Sequence, residues 1–354
     1  MKTSQFDYHL PENLIAQSPS EKREQSRLMI INRENQSITH HKFYEIIDYL
    51  NEDDLLIMNN TRVIPARLIG RKEDGSSIIE ILLIKEIDHL SNRWIVMMKP
   101  AKRLKIGQKI SFGDGKLHAE LIEILESGER IVEFKTDGNF KEVLDEIGLA
   151  PLPPYIIKAR DKNKTEHFDN KEDKRRYQTI FAQTEGSVAA PTAGFHFSEE
   201  LLKQIIAKGI KTQYITLHIG PGTFLPVKSD NVEDHVMHFE DYEITADVCN
   251  AINEAKQNGK RIVAVGTTVV RTLESACDEQ GILTPKRAST DLLIVPGYKF
   301  KMIDAMITNF HLPCSTLLML VSGFAGTELI KKSYETAVEN QYRFYSFGDA
   351  MFIE

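Results

Sequence analysis

Between Ala66 and Lys135 the chain has no stretch with helical periodicity. It offers six β-rich runs: ARLIGRK, SIIEILLIKEI, RWIVMMKP, QKISFG, KLHAELIEIL and ERIVEFK. Turn signals separate them, at Glu73-Asp74-Gly75, Ser91-Asn92, Lys105-Ile106-Gly107, Gly113-Asp114-Gly115 and Ser127-Gly128. Short strands this closely spaced, with no helix between them, predict a small barrel. Phe140–Ile147 (FKEVLDEI) then reads as a helix stopped at Gly148, and Pro151, Pro153 and Pro154 as a stiff linker.

The flanks have a different texture, which changes at Asn59. Before it, Arg27–Asn32 and Leu55–Asn59 read as strands around a helix at Phe43–Leu50. Lys158–Arg176 is highly charged without apolar periodicity and is expected to be an exposed, mobile loop. From Gln178 onward the pattern is α/β. Ser198 caps a helix ended by Gly209, a strand covers Gln213–Ile219, and Thr245 caps a helix ended by Gly259. The near-continuous apolar run Arg261–Val265 is expected to be a strand covered on both faces. A helix at Val269–Cys277, strands at Asp291–Val295 and Met302–Thr308, and helices at Ser315–Phe324 and Glu328–Asn340 complete the chain. The expected architecture is α/β: a layered domain built from both chain ends (1–61 and 139–354), with the β-barrel (62–138) inserted.

Composition narrows the setting. Three cysteines (Cys249, Cys277 and Cys314) without C-x-x-C spacing suggest neither a disulfide framework nor a thiolate zinc site, and so a reducing cytoplasm. The N-terminus lacks a signal peptide's apolar core, and no apolar run approaches the ~20 residues of a membrane span. A net charge of −7 argues against general polyanion binding but leaves room for local basic patches. Such patches occur at Arg62, Arg67, Arg71 and Lys72, at Lys99–Lys109, and at Lys174-Arg175-Arg176-Tyr177, where cations beside an aromatic suit phosphate contacts and a stacked base.

Candidate chemistry lies in the loops, because open α/β sheets bind ligands beyond the carboxyl ends of their strands. A loop of small residues, Gly186 to Gly194, leads into Phe195-His196-Phe197, where a histidine could move a proton near neutral pH. Gly220-Pro221-Gly222-Thr223, Gly266-Thr267-Thr268 and Asn309-Phe310-His311 also follow strands. The free amides at Gly266-Thr267-Thr268 could hold a carboxylate or phosphate. Neither G-x-G-x-x-G nor a Walker A pattern occurs, which disfavours dinucleotide dehydrogenases and P-loop NTPases. His235-x-x-His238-x-Glu240 carries the residue types of a divalent-metal site, and hence of a metal-dependent hydrolase. Strand alternation, however, would place His238 with Glu240 and turn His235 away. Acid–base work by His238 with Glu240, or a structural hydrogen-bond network, fits better than a metal, and none is expected.

Taken together, NNTRVIPARL, APLPPYI, RRYQTIFA, GSVAAPTAGFHF, LHIGPGTFLPV, HVMHFEDYEI, VAVGTTVVRTLES, PGYKF, TNFHLPCSTLLMLVSGFAG and YRFYSFGDAM resemble, in order and over essentially the whole chain, the S-adenosylmethionine:tRNA ribosyltransferase-isomerase family. The resemblance implies an enzyme of queuosine biosynthesis. It would move the ribosyl part of S-adenosylmethionine onto 7-aminomethyl-7-deazaguanine in the wobble position of a tRNA anticodon, giving epoxyqueuosine, adenine and methionine. S-adenosylmethionine would be a consumed substrate, no separate cofactor is implied, and a monomer is expected; a non-catalytic RNA-binding protein is the competing class. Within this resemblance His196 is the expected base at C5′, His238 the proton donor to adenine, and Glu240 the orienting carboxylate. Gly266, Thr267 and Thr268 are assigned to the methionyl carboxylate, and Asn309 and His311 to adenine or ribose. Gly194, Gly220, Gly222 and Thr223 are placed at the substrate, with Phe195 and Phe197 flanking the sulfonium. Arg62, Arg67, Arg175 and Arg176 are candidates for RNA phosphates and Tyr177 for a base stack.

Overall fold

A computed structural model describes residues 1–75, 77–101, 104–162, 170–224 and 227–354. The chain opens with β1 (Arg27–Ile31) and β2 (Ile38–Lys42), a 3₁₀ helix at Phe43–Asp48, β3 (Leu55–Asn59) and the short β4 (Thr61–Val63). Six strands follow: β5 (Arg67–Lys72), β6 (Ile78–Asp88), β7 (Arg93–Lys99), β8 (Lys109–Phe112), β9 (Leu117–Ile124) and β10 (Arg130–Lys135). They close in the order β10-β7-β6-β5-β8-β9. The barrel forms because side chains alternate inward along each strand. Ile79, Ile81 and Leu83 of β6, Trp94, Val96 and Met98 of β7, and Leu117, Ala119 and Leu121 of β9 all fill one interior.

Next come α1 (Phe140–Ile147), α2 (Pro154–Lys162) and α3 (Asn170–Arg176). Asn139 caps α1 by accepting the amides of Lys141 and Glu142. α2 and α3 correct the expected loop at 158–176. Pro154 tolerates the first helical turn because the amide it lacks has no intrahelical partner there, and α3 carries acids in its first turn and bases in its last, as the helix dipole favours. The part of that expected loop at 163–169 lies outside the described residues, as do Lys102 and Arg103 of the basic stretch.

The remaining elements are β11 (Thr184–Ser187), α4 (Glu199–Ala207), β12 (Lys211–Leu217), β13 (Glu240–Ile244), α5 (Ala246–Gln257), β14 (Ile262–Val265), α6 (Thr267–Ala276), β15 (Lys286–Thr290), β16 (Ala305–Asn309), α7 (Thr316–Ala325), α8 (Thr327–Glu339) and β17 (Ala350–Ile353). Nine strands make one mixed sheet, ordered β15-β13-β12-β3-β14-β16-β17-β1-β2, in which β12, β3, β14 and β16 run parallel. Both of its faces are covered. Ile262 and Ala264 of β14 pack with α5, α6, α7 and α8, while Val263 and Val265 pack with Phe43, Ile46 and α4 on the other side. Each such residue removed from water contributes about 1.5–3 kcal/mol.

Three local expectations are corrected. Phe43–Asp48 is 3₁₀ rather than α, the strand expected at Asp291–Val295 sits at Lys286–Thr290, and the strand expected to carry both His238 and Glu240 begins only at Glu240.

Gly70 in β5 shows how tightly the barrel closes. A Cβ there would stand 2.4 Å from Phe112 Cδ1 and 2.6 Å from the Ser111 carbonyl oxygen. Gly70→Ala is therefore expected to destabilise the barrel by about 1–3 kcal/mol through overpacking. Trp94, the single tryptophan, lies in the barrel, so its fluorescence in urea unfolding reads this directly. An unchanged midpoint would show that β5 and β8 have room to separate.

Candidate active site

The carboxyl ends of β14 and β16 open into a crevice lined by Ala190–Ala193, Gly266–Thr268, Thr308–Leu312, Ser315, Tyr345 and Ser346. Two helices begin at it. Gly266 holds φ at 95°, a value few other residues adopt, and so turns β14 directly into α6. The first amides of α6, at Thr267 and Thr268, have no intrahelical acceptor and face positive dipole ends. Ser315 caps α7 by accepting the Leu318 amide at 3.2 Å, and Ser315 and Leu317 line the same crevice. Two N-termini of ten-residue helices on one crevice make a setting for a carboxylate.

Asn309 sits at the floor, braced from three sides. Its Nδ2 donates to the Tyr345 carbonyl at 3.2 Å and to His196 Nε2 at 3.1 Å, while its Oδ1 accepts from Thr192 Oγ1 at 3.0 Å. Because Nε2 of His196 accepts, the proton is on Nδ1, which donates to Ser26 Oγ at 2.7 Å. His196 is 3 % exposed and rests against Phe43, with ring centroids 5.0 Å apart. Burial, with help from Arg343 and Arg23, pushes its pKa down to about 3. It is a neutral imidazole with both nitrogens engaged, and it orients Asn309.

His311 lines the crevice instead. The Thr308 hydroxyl holds its Nε2 at 3.0 Å, its amide donates to Tyr334 Oη at 2.9 Å, and Tyr8 Oη donates to its carbonyl at 2.6 Å. Its Nδ1 has no partner among the described residues. Burial pushes this imidazole, too, down to about 3.

The other expected site residues scatter. His238 is exposed, its ring against Gly222, where a Cβ would lie 2.6 Å from Cδ2. Glu240 is buried and pairs with Arg271 while accepting the Gly220 amide at 3.1 Å, so it braces the Gly220–Gly222 turn. The Thr223 side chain lies outside the described residues. His235, His238 and Glu240 do not assemble as ligands: among the described residues no group of three His, Cys, Asp or Glu could hold a metal. Phe195 and Phe197 are core rings, packed on Phe347 and Phe43 respectively, and Gly194 lies under Phe181; none of the three lines the crevice.

Of the basic candidates, Arg62 is exposed and borders a wider cleft of about 530 Å³ between the barrel wall at Trp94, α1 and β4. That cleft is larger than the crevice and takes in the N-terminus of α1, where the Asn139 side chain already accepts the Lys141 and Glu142 amides. Arg67 is tied to Glu80 at 2.8 Å and Arg175 to Glu172 at 2.9 Å. Tyr177, 1 % exposed, packs on Phe195 and Phe347 and offers no face to a base. Tyr8, Tyr155, Thr192 and Tyr345 gather at the crevice or its histidine without a local sequence signal to mark them.

The buried neutral state of His196 makes stability depend on pH. Unfolded, it takes up a proton below its ordinary value of 6.5; folded, it does so only near 3, so stability falls as pH drops through that window. Below pH 6, the stability of the parent should decline more steeply than that of His196→Gln, by up to about 1.4 kcal/mol per pH unit. Parallel profiles in urea titrations would mean that the folded imidazole protonates freely.

Known proteins bear on this arrangement. The profile of the queuosine biosynthesis protein family matches residues 3–353. Curated proteins named S-adenosylmethionine:tRNA ribosyltransferase-isomerase are 52 % identical in Acetivibrio thermocellus and 54 % identical in Caldanaerobacter subterraneus, each over 100 % of both chains. A crystal structure described as S-adenosylmethionine tRNA ribosyltransferase, from Thermotoga maritima, is 35 % identical and superposes with a TM-score of 0.55, covering 99 % of this chain and 100 % of the other. A family profile matched over residues 3–353, with curated relatives 52 % and 54 % identical over the whole chain, shows that the chain belongs to the queuosine biosynthesis protein family.

Proposed function

We propose that this chain is an S-adenosylmethionine:tRNA ribosyltransferase-isomerase acting in the cytoplasm as a monomer. S-adenosylmethionine is its consumed substrate, and its acceptor is the aminomethyl group of 7-aminomethyl-7-deazaguanine in the anticodon of tRNA. The observation that carries this, beside family membership, is the convergence of two helix N-termini, Asn309 and His311 on one crevice. The methionyl carboxylate takes the amides of Thr267 and Thr268. The sulfonium acidifies the adjacent C5′ protons, and a base removes one to give an ylide. Loss of adenine opens the ribose, the substrate amine attacks, and recyclisation to the epoxide expels methionine. A neutral imidazole in a largely buried crevice suits the first step, and His311 is the histidine whose free Nδ1 belongs to that crevice.

Incubation of precursor-modified tRNA with S-adenosylmethionine and the protein should release adenine and methionine in equal amounts, and a chelator should leave the rate unchanged. Absence of adenine would end this assignment. His311→Gln should lose about 10²–10⁴-fold in ribosyl transfer, as expected for a general base. It should also stop solvent deuterium entering C5′ while still binding S-adenosylmethionine. Exchange at the parent rate would move the base to another group.

A further inference from the structure

Behind His196, on the side away from the crevice, the positive charges outnumber their partners. Arg23 and Arg176, remote in the chain, converge on a notch beside Ser20, floored by Phe195 and His196, and Arg343 holds Ser20 from outside the notch. Their hydrogen bonds go to neutral oxygens. Arg176 donates to the carbonyls of Ser20 and Glu21, Arg343 to the Ser18 carbonyl at 3.3 Å and Ser20 Oγ at 2.5 Å, and Arg23 to the carbonyls of Gln178 at 2.9 Å and Phe195 at 3.2 Å. Glu172 is spent on Arg175, and Asp349 reaches Arg343 only at 3.9 Å. Among the described residues no carboxylate stands within ion-pair distance of Arg23 or Arg176, Glu172 acting on both only through space, and Arg176 Nε is buried with no acceptor. Burial, then Arg176 and Arg175, push the Arg23 guanidinium down to about 10. Desolvated like charges around an unfilled notch are costly, and an oxyanion would relieve both the repulsion and the orphaned donor.

We propose that Arg23 and Arg176, with Arg343 bracing Ser20 beside them, form a seat for one backbone phosphate of the RNA. Planar guanidinium forks match phosphate oxygens, and each still carries uncommitted N–H groups. The seat lies close to the chemistry. His196 lines the notch while its Nε2 receives the Asn309 amide of the crevice, and Ser346 borders both. A phosphate held there would fix the RNA strand one imidazole and one carboxamide away from the crevice. This rests on the proposed tRNA substrate and adds the contact that positions it.

The test is binding of an anticodon stem-loop RNA as a function of salt. Arg176→Gln should weaken binding by about tenfold or more, the worth of a charge-assisted hydrogen bond. It should also make the slope of log affinity against log salt shallower by about 0.7–0.9, one counterion's share. Arg23→Gln/Arg176→Gln should lower the slope no further, because one phosphate is shared. In the parent, a single neutral methylphosphonate in the RNA should reproduce the loss at one position, and at that position it should cost Arg176→Gln nothing; the parent scan needs no variant to fold. Retention of the thermal shift given by S-adenosylmethionine confirms that the variants are folded.

An unchanged affinity and slope in folded Arg176→Gln, or a slope reduced twofold further in the double variant, overturns the proposal. So does a parent stabilised by inorganic phosphate whose RNA affinity ignores Arg176, since the notch would then take only a free oxyanion. Adenine release is read separately: a protein that seats RNA here but releases no adenine fails the proposed reaction and keeps this site.

Discussion

The fold depends on how one strand end is divided. At the end of β3 the chain must leave the parallel sheet for the barrel while its neighbour β12 runs on to pair with β13, and the diverging strands strand their backbone groups. Asn59 supplies what they lose. Its Nδ2 donates to the Leu217 carbonyl at 3.0 Å and to Thr268 Oγ1 at 3.3 Å, and its Oδ1 accepts the amides of Thr61 and Leu217, both at 3.1 Å. Asn60 does the same one residue on. Its side chain accepts from Thr216 Oγ1 at 2.7 Å, and its carbonyl accepts the amides of Gln183 and Thr184. Each buried backbone group left unpaired would cost about 1–3 kcal/mol, so two carboxamides make the split tolerable. Asn59 also ties it to the first turn of α6 through Thr268, and hence to the crevice.

The same carboxamide device recurs at the crevice floor with a different consequence. Asn309 joins Thr192 and His196, the two ends of one 3₁₀ turn, to the Tyr345 carbonyl in a remote part of the chain. Its amide orientation is fixed because the Tyr345 carbonyl accepts only a donor, and that in turn fixes the His196 tautomer. A histidine used this way is held neutral by its surroundings. Burial holds His311 neutral as well; what sets it apart is that, gripped through its amide and carbonyl by Tyr334 and Tyr8, it keeps a ring nitrogen uncommitted among the described residues.

The legible parts of the fold are those where burial repeats with a short period. The six barrel strands alternate inward and outward, and β14 is buried throughout, so pattern alone placed them. The strands that escaped notice are short or polar: β2 (ITHHK) and β15 (KRAST) face solvent for much of their length, and their pairing comes from β1 and β13 rather than from their own composition. β17 is fully buried, but its four residues at the end of the chain are too few to display a period. Strand-end position made Gly266–Thr268, Asn309 and His311 visible as candidate site residues, since the two stretches lie at the carboxyl ends of β14 and β16. Which histidine kept a free nitrogen was not visible, because Ser26, Thr308 and Tyr334 are set against them by the tertiary fold.

The cluster at 234–243 shows the limit of local spacing most clearly. His235, His238 and Glu240 have the residue types of a metal site, yet the partner that decides what Glu240 does is Arg271, in the middle of α6. That arginine also donates to the Leu292 carbonyl at 3.0 Å and to the Thr290 carbonyl at 3.4 Å, so its charge is surrounded by acceptors before Glu240 is counted. A buried carboxylate facing such a guanidinium is satisfied as an anion, and removing either partner would strand the other at a cost of about 3–5 kcal/mol. With Arg271 and the Gly220 amide on its two oxygens, Glu240 is well placed to hold Gly220 still. Since α6 presents Thr267 and Thr268 to the crevice from the same helix that carries Arg271, the ion pair sets the Gly220 turn and the first amides of α6 in one rigid relation.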